Sequence, residues 1–159
     1  MKNKKLTIKT AKVGVNLPLS DKSIKAKFVA PVKDYNKSDL NNCSAVLHVN
    51  YSKNNFLFMA DAETQAEKDM LAMKQIGKVD VLKVGHHGAK ESTTAEFLKI
   101  AKPTYSFKSV GPKNQYKHPT IETLNRLKAI KSAVYRTDQK GNIVVTSDGT
   151  KMSIKTERK

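Results

Sequence analysis

Phe56-Leu57-Phe58-Met59-Ala60-Asp61 is a run of five apolar residues that ends on a carboxylate. A run apolar on both faces reads as a buried strand, and Asp61 marks where that strand opens to solvent. The period then changes. From about Glu63 to Ile76, Met70, Met73 and Ile76 share one stripe, widened by Leu71, which predicts a helix with Gly77 as its stop signal. Val79 to Val84 predicts the next strand, and Gly85-His86-His87-Gly88 leaves it as a loop. Strand, helix, strand in this order predicts a layered α/β fold with functional loops at the strand ends.

Working outward, residues 6–10 and 24–30 alternate apolar and polar like strands. In the second of these, Ile24, Ala26 and Phe28 share a face opposite Lys25 and Lys27. A turn-rich stretch leads from Pro31 to Asn42. A strand from about Ala45 to Tyr51 follows, and Ser52-Lys53-Asn54-Asn55 reads as a hairpin turn. Downstream, Thr93 and Glu96 have capping-box spacing for a helix that runs to about Ala101 and ends before Pro103. A strand covers 104–110, and the loop Gly111 to Pro119 follows. Pro119 suits the first turn of a helix, with Ile121, Leu124, Leu127 and Ile130 as its apolar stripe. Strands near 133–137, 142–146 and 152–155 close the chain, the last two joined by the turn Ser147-Asp148-Gly149-Thr150. No repeat, low-complexity stretch or linker divides residues 1–159, which read as one domain.

Composition narrows the function classes. Hydrophobic residues are 38% and charged residues 28% of the 159, which excludes disorder throughout. Thirty Lys and Arg against 14 Asp and Glu give a formal charge of +16, a field that attracts DNA or another polyanion. The basic residues are mostly scattered lysines, which favours a general field over a specific readout site. Cys43 is the sole cysteine, so an intrachain disulfide is excluded, and it is expected to be a small buried hydrophobe. No run is apolar enough to span a bilayer. Met1-Lys2-Asn3-Lys4-Lys5 has the charge of a signal peptide's start. The strand-like Leu6 to Lys12 replaces the apolar segment that should follow, so no export signal is read and location stays open.

The residues that can carry chemistry are few. The four histidines are His48, His86, His87 and His118; the last three and Asp61 fall in loops after strands. Imidazole and carboxylate suit zinc or a harder metal such as manganese, and a metal can activate water or clamp a phosphoryl oxygen. Blander roles fit the same residues. The His-His pair beside glycine suits a flexible surface loop, and Asp61 and His118 suit helix caps. His48, within its strand, is expected to be structural or exposed.

Six strings occur in order: Ser38 to Leu47, Phe56 to Glu63, Asp80 to Gly88, Ser109-Val110-Gly111, Tyr116-Lys117-His118-Pro119 and Tyr135-Arg136-Thr137-Asp138. Together they resemble the metallo-β-lactamase-fold domain of ComEC-type DNA-uptake competence proteins and its stand-alone secreted relatives. The resemblance implies an αββα sandwich with one or two zinc or manganese ions at its edge. It also implies hydrolysis of a phosphodiester bond, with DNA as the proposed substrate. On this resemblance Asp61 bridges metals, and His86, nearest the strand end, is the favoured metal ligand with His87 as the alternative. His118 lines the site and orients substrate, with Ser109, Asn114 and Tyr116 beside it.

Departures from the pattern qualify the expectation. The His-x-His-x-Asp-His ligand motif of that family is absent, as is a further histidine ligand. Ala60 and Lys117 stand where glycine is common, and Ala89 where serine is usual. Two kinds of ligand from so few residues do not fill a tetrahedral shell. The chain therefore reads as the C-terminal half of such a domain, inactive alone, with one sheet face uncovered. An N-terminal half-domain or self-association would supply the cover. The alternative is a non-catalytic protein that binds DNA or another polyanion through its charge. A non-functional remnant is a third reading, marked by poor solubility and loose packing.

Overall fold

Backbone pairing explains why the middle of the chain controls the architecture. The computed structural model describes residues 9–36 and 38–159. Strands β1 (Asn16–Leu17), β2 (Ile24–Ala30), β3 (Val46–Tyr51) and β4 (Asn54–Phe58) form an antiparallel meander. Strands β5 (Val81–Lys83), β6 (Tyr105–Lys108) and β7 (Ala133–Arg136) extend it in parallel from β4, so the seven strands lie in chain order. Helices α1 (Thr64–Ala72), α2 (Ala95–Ala101) and α3 (Ile121–Ala129) connect the parallel strands. Each crossover advances one place in the same direction. Right-handed crossovers then put all three helices on one face. A short helix α4 (Thr137–Lys140) and the hairpin β8 (Ile143–Ser147) with β9 (Met152–Thr156) follow. The layered α/β class expected from the strand–helix pattern is the class observed.

The core lies between sheet and helices. Leu57 and Leu82 from the strands meet Ala66 and Met70 of α1, Phe97 and Leu98 of α2 and Leu127 of α3, all sealed from water. Alternation along β4 sends its neighbours the other way. Phe56 and Phe58 pair across the ladder with Val49 and Leu47, and with Val81 and Phe107 they line a groove closed on its far side by Ile143 and Val145 of the hairpin. The hairpin tip is fastened to the β3–β4 turn: Ser147 Oγ donates to Asn54 Oδ1 at 2.7 Å, and Lys53 N to the Gly149 carbonyl at 2.8 Å. Phe58 nonetheless remains 43% exposed. The expected uncovered apolar face is thus mostly occupied by the hairpin: Val81 and Phe107 are buried there, and Phe58 keeps the exposed part.

Other expectations are corrected in detail. The helix after Asp61 ends at Ala72, not near Gly77, because Lys74 takes the left-handed conformation (φ 52°) that terminates it. Met73 and Ile76 therefore lie beyond the helix. Thr94, not Thr93, caps α2 by accepting from Phe97 N; Thr93 (φ 56°) is instead held through its amide by the buried Glu67 carboxylate. Pro119 precedes α3 by two positions, and Thr120 is its cap. In α3 the buried positions are Leu127, as expected, and Thr123, whose hydroxyl donates to the Ala89 carbonyl at 2.8 Å, while Ile121 is exposed. Thr137 begins α4 rather than ending a strand. Cys43 is exposed. The strand expected at 6–10 lies mostly outside the described residues, and Lys9 and Thr10 are not in a strand. His48 is half-buried in β3, and burial lowers its pKa. Among the described residues no helix is long and apolar enough to cross a membrane.

Candidate functional site

Three consecutive parallel strands end at one edge of the sheet, and three loops leave it there, the usual position of a site in an α/β sheet. The turn after β4 carries Asp61, the 3-10 turn Gly85–Gly88 after β5 carries both histidines, and the loop after β6 carries Ser109 to His118. The first two loops are stitched together: His86 N donates to the Ala60 carbonyl at 2.9 Å. A Cβ on Gly85 would stand 2.9 Å from the Ala62 carbonyl oxygen, so this close approach requires glycine.

His86 and His87 both have left-handed backbones, at φ 42° and 52°. Two successive non-glycine residues in that region store about 1–3 kcal/mol each. The strain is balanced by the partners the rings reach. His86 Nδ1 lies 2.8 Å from Glu63 Oε1, and Asn41 Nδ2 donates to the same oxygen at 2.8 Å. His87 Nδ1 lies 2.6 Å from the Ser109 carbonyl oxygen. That carbonyl oxygen accepts only if Nδ1 carries the proton, and in the neutral ring Nε2 is then the lone-pair donor. Nε2 is 4.0 Å from Asp61 Oδ1, and both side chains are 51% exposed. Asp61 caps no helix; its amide is held by Ser44 Oγ at 3.1 Å.

His118 completes the cluster. Its ring lies 5.6 Å from that of His86, and its Nδ1 is buried with no hydrogen-bond partner among the described residues. Burial first, then the proximity of His86 and His87, holds its pKa below the usual histidine value. The neutral ring can accept a proton or a metal. Its backbone is clamped by Asn114, whose Oδ1 accepts from His118 N at 2.9 Å and whose Nδ2 donates to the His118 carbonyl at 2.7 Å. His87, Ser109, Asn114, Tyr116 and His118 thereby line one cavity of about 390 Å³. Asp61 and His86 stand beside it rather than in its wall.

Several contributors carry no motif of their own. Glu63 and Asn41 orient His86. Thr137 Oγ1 both donates to the Val110 carbonyl and accepts from Val110 N, each at 2.8 Å, which fixes the strand end that presents the Ser109 carbonyl. Lys108 is 1% exposed, and its amine lies beneath Gly88 without a hydrogen-bond partner among the described residues. Burial, reinforced by Arg136 and Arg126, pushes its pKa down to about 7. Asn41, Glu63 and Thr137 fall within the quoted strings and Lys108 does not, and only spatial contact assigns each a task.

The donor chemistry of this edge suits a metal ion in part. Two donors on one tetrahedral ion stand about 3.4 Å apart, given bonds of about 2.0–2.2 Å. Asp61 and His87, half-exposed and 4.0 Å apart, need only a small side-chain rotation to meet that spacing. They make two ligands of the four such a shell needs. Among the described residues no group of three or more His, Cys, Asp or Glu is arranged to hold an ion.

No family model matches the chain. It is, however, 38% identical over 103 residues to ComE operon protein 3 of Bacillus subtilis, across 65% of this chain and 13% of that protein. It is 36% identical over 118 residues to Recombination protein 2 of Haemophilus influenzae, across 74% of this chain and 15% of that protein. To Competence protein ComA of Neisseria gonorrhoeae it is 35% identical over 117 residues, across 72% of this chain and 17% of that protein. The aligned segment thus spans about a sixth or less of each relative, and these similarities support a competence-protein family for it.

Proposed function

We propose that this chain carries one half of a metal-dependent phosphodiester hydrolase centre serving DNA uptake. The observation that supports it best is the His87 ring, anchored through Nδ1 on the Ser109 carbonyl with Nε2 turned toward Asp61. An imidazole held at one nitrogen by a carbonyl, with the other free beside a carboxylate, is the usual arrangement of a metal-ligating histidine. His87 is therefore the better ligand candidate of the pair, and His86, engaged by Glu63, supports the loop. The ion, zinc or manganese, would supply a Lewis acid and an activated water when bound. Around it, neutral His118 would accept a proton or position a phosphate oxygen, and Lys83, whose pKa burial lowers while Asp61 opposes that shift, would stand nearby. The remaining ligands would come from a further polypeptide segment docked over the apolar face that bears Phe58.

Elemental analysis of the purified protein tests this directly. Stoichiometric metal that is lost in Asp61→Ala and His87→Ala supports the half-centre. If the wild type holds no metal even when co-expressed with the upstream segment of a relative, the reading fails. The charge of +16 favours a second reading, a non-catalytic polyanion binder. Its signature is affinity that falls steeply with salt and is indifferent to Asp61→Ala.

A further inference from the structure

The phosphodiester reading leaves open which form of nucleic acid the edge accepts, and one exposed ring bears on this. Tyr116 is 69% exposed. A single exposed aromatic is ordinary; a fixed one is not. The Tyr116 ring is stacked on His118 at 5.9 Å between centroids and 18° between planes. The loop beneath it is closed by Asn114, which bonds the backbone of His118 on both sides and the Gly111 carbonyl, while Lys117 N donates to the Asn114 carbonyl. One face of the ring is therefore occupied by His118, and the other is presented to solvent in a set orientation.

The surroundings are cationic. Lys113 and Lys117 flank Tyr116, both exposed, and no Asp or Glu occurs between Glu96 and Glu122 in the sequence. A rigid aromatic face between two cations, on the wall of the cavity that holds His87, matches a base with its flanking phosphates. A duplex keeps its bases stacked inside, so it can offer such a ring only its ends.

We propose that Tyr116 is a stacking platform for an unpaired base of a polynucleotide strand, with Lys113 and Lys117 holding the adjacent phosphates. The proposal rests on the reading of this edge as a phosphodiester site and specifies a single strand as its occupant. The test is binding by the full chain, in chelator to remove metal chemistry, to three labelled probes of equal length: single-stranded oligothymidylate, the same backbone without bases, and a blunt duplex. Stacking of one base predicts binding of the abasic strand weaker by roughly 5- to 150-fold. Tyr116→Ala should abolish that difference and Tyr116→Phe should keep it. Because the chain has no tryptophan, Tyr116→Trp supplies a single indole whose emission oligothymidylate should quench and the abasic strand should not. Equal binding of the base-containing and abasic strands, a difference that survives Tyr116→Ala, or no binding at all would overturn the proposal. None of these results touches the metal content of Asp61 and His87, so the two readings fail separately.

Discussion

The two faces of the sheet are built from the same strands and end in opposite conditions. On the helix side Leu57, Leu82, Leu98 and Leu127 are closed to water. On the hairpin side Phe56, Phe58, Val81 and Phe107 line a groove roofed by Ile143 and Val145, where Val81 and Phe107 are buried but Phe58 stays exposed. The site lies on the rim that both faces share, at the carboxyl ends of β4, β5 and β6. The contrast teaches that the stability of the chain is concentrated on one side, while the side toward β8 and β9 keeps apolar surface in contact with solvent.

Substitutions can break or sharpen this contrast. The largest effect is expected at Leu57. Leu57→Ala should cost about 2–5 kcal/mol in denaturant unfolding, whereas its neighbour Phe58→Ala should cost less than about 1 kcal/mol. Comparable losses at both positions would mean that Phe58 is covered in solution, and a midpoint that depends on protein concentration would identify self-association as the cover.

Lys108 sharpens the comparison from within the sealed side. Its folded pKa of about 7 lies below its ordinary value of 10.5, so the unfolded chain binds the proton more tightly. The contribution to stability therefore rises with pH between about 7 and 10.5 and is flat outside that window. Lys108→Met should raise stability at pH 7 by about 1–3 kcal/mol and remove the rise, read from unfolding curves across that range.

At the rim, His87→Ala should weaken manganese or zinc binding about tenfold or more beyond the effect of His86→Ala, measured by metal titration. Equal effects would show that both rings ligate. The smallest effect belongs to two backbone positions. Ala60 and Lys117 sit at φ 49° and 55°. Ala60→Gly and Lys117→Gly should each stabilise by about 0.5–1 kcal/mol in thermal unfolding.

Those two positions also show how the sequence related to the fold. Ala60 and Lys117 stand out as departures at sites where glycine is common, and the structure supplies the reason, because both backbones are left-handed. Strand β2, the β3–β4 hairpin and the 147–150 turn follow closely from alternation and turn chemistry, since those signals act over a few residues. Helix ends were less legible. The cap at Thr94 rather than Thr93 depends on a contact from afar, because buried Glu67 claims the Thr93 amide, and the start of α1 is likewise held by Asn42 Oδ1, which accepts from Ala66 N.

Local pattern was thus enough for the α/β order and for the loops that bear Asp61, His86, His87 and His118, because hydrophobic period and turn residues are properties of neighbours in the chain. The orientation of the two histidine rings was not readable in this way. It was decided by a left-handed turn that parts the rings, and by Glu63 and the Ser109 carbonyl, which lie 23 and 22 residues away in sequence and meet the rings only when β4, β5 and β6 align.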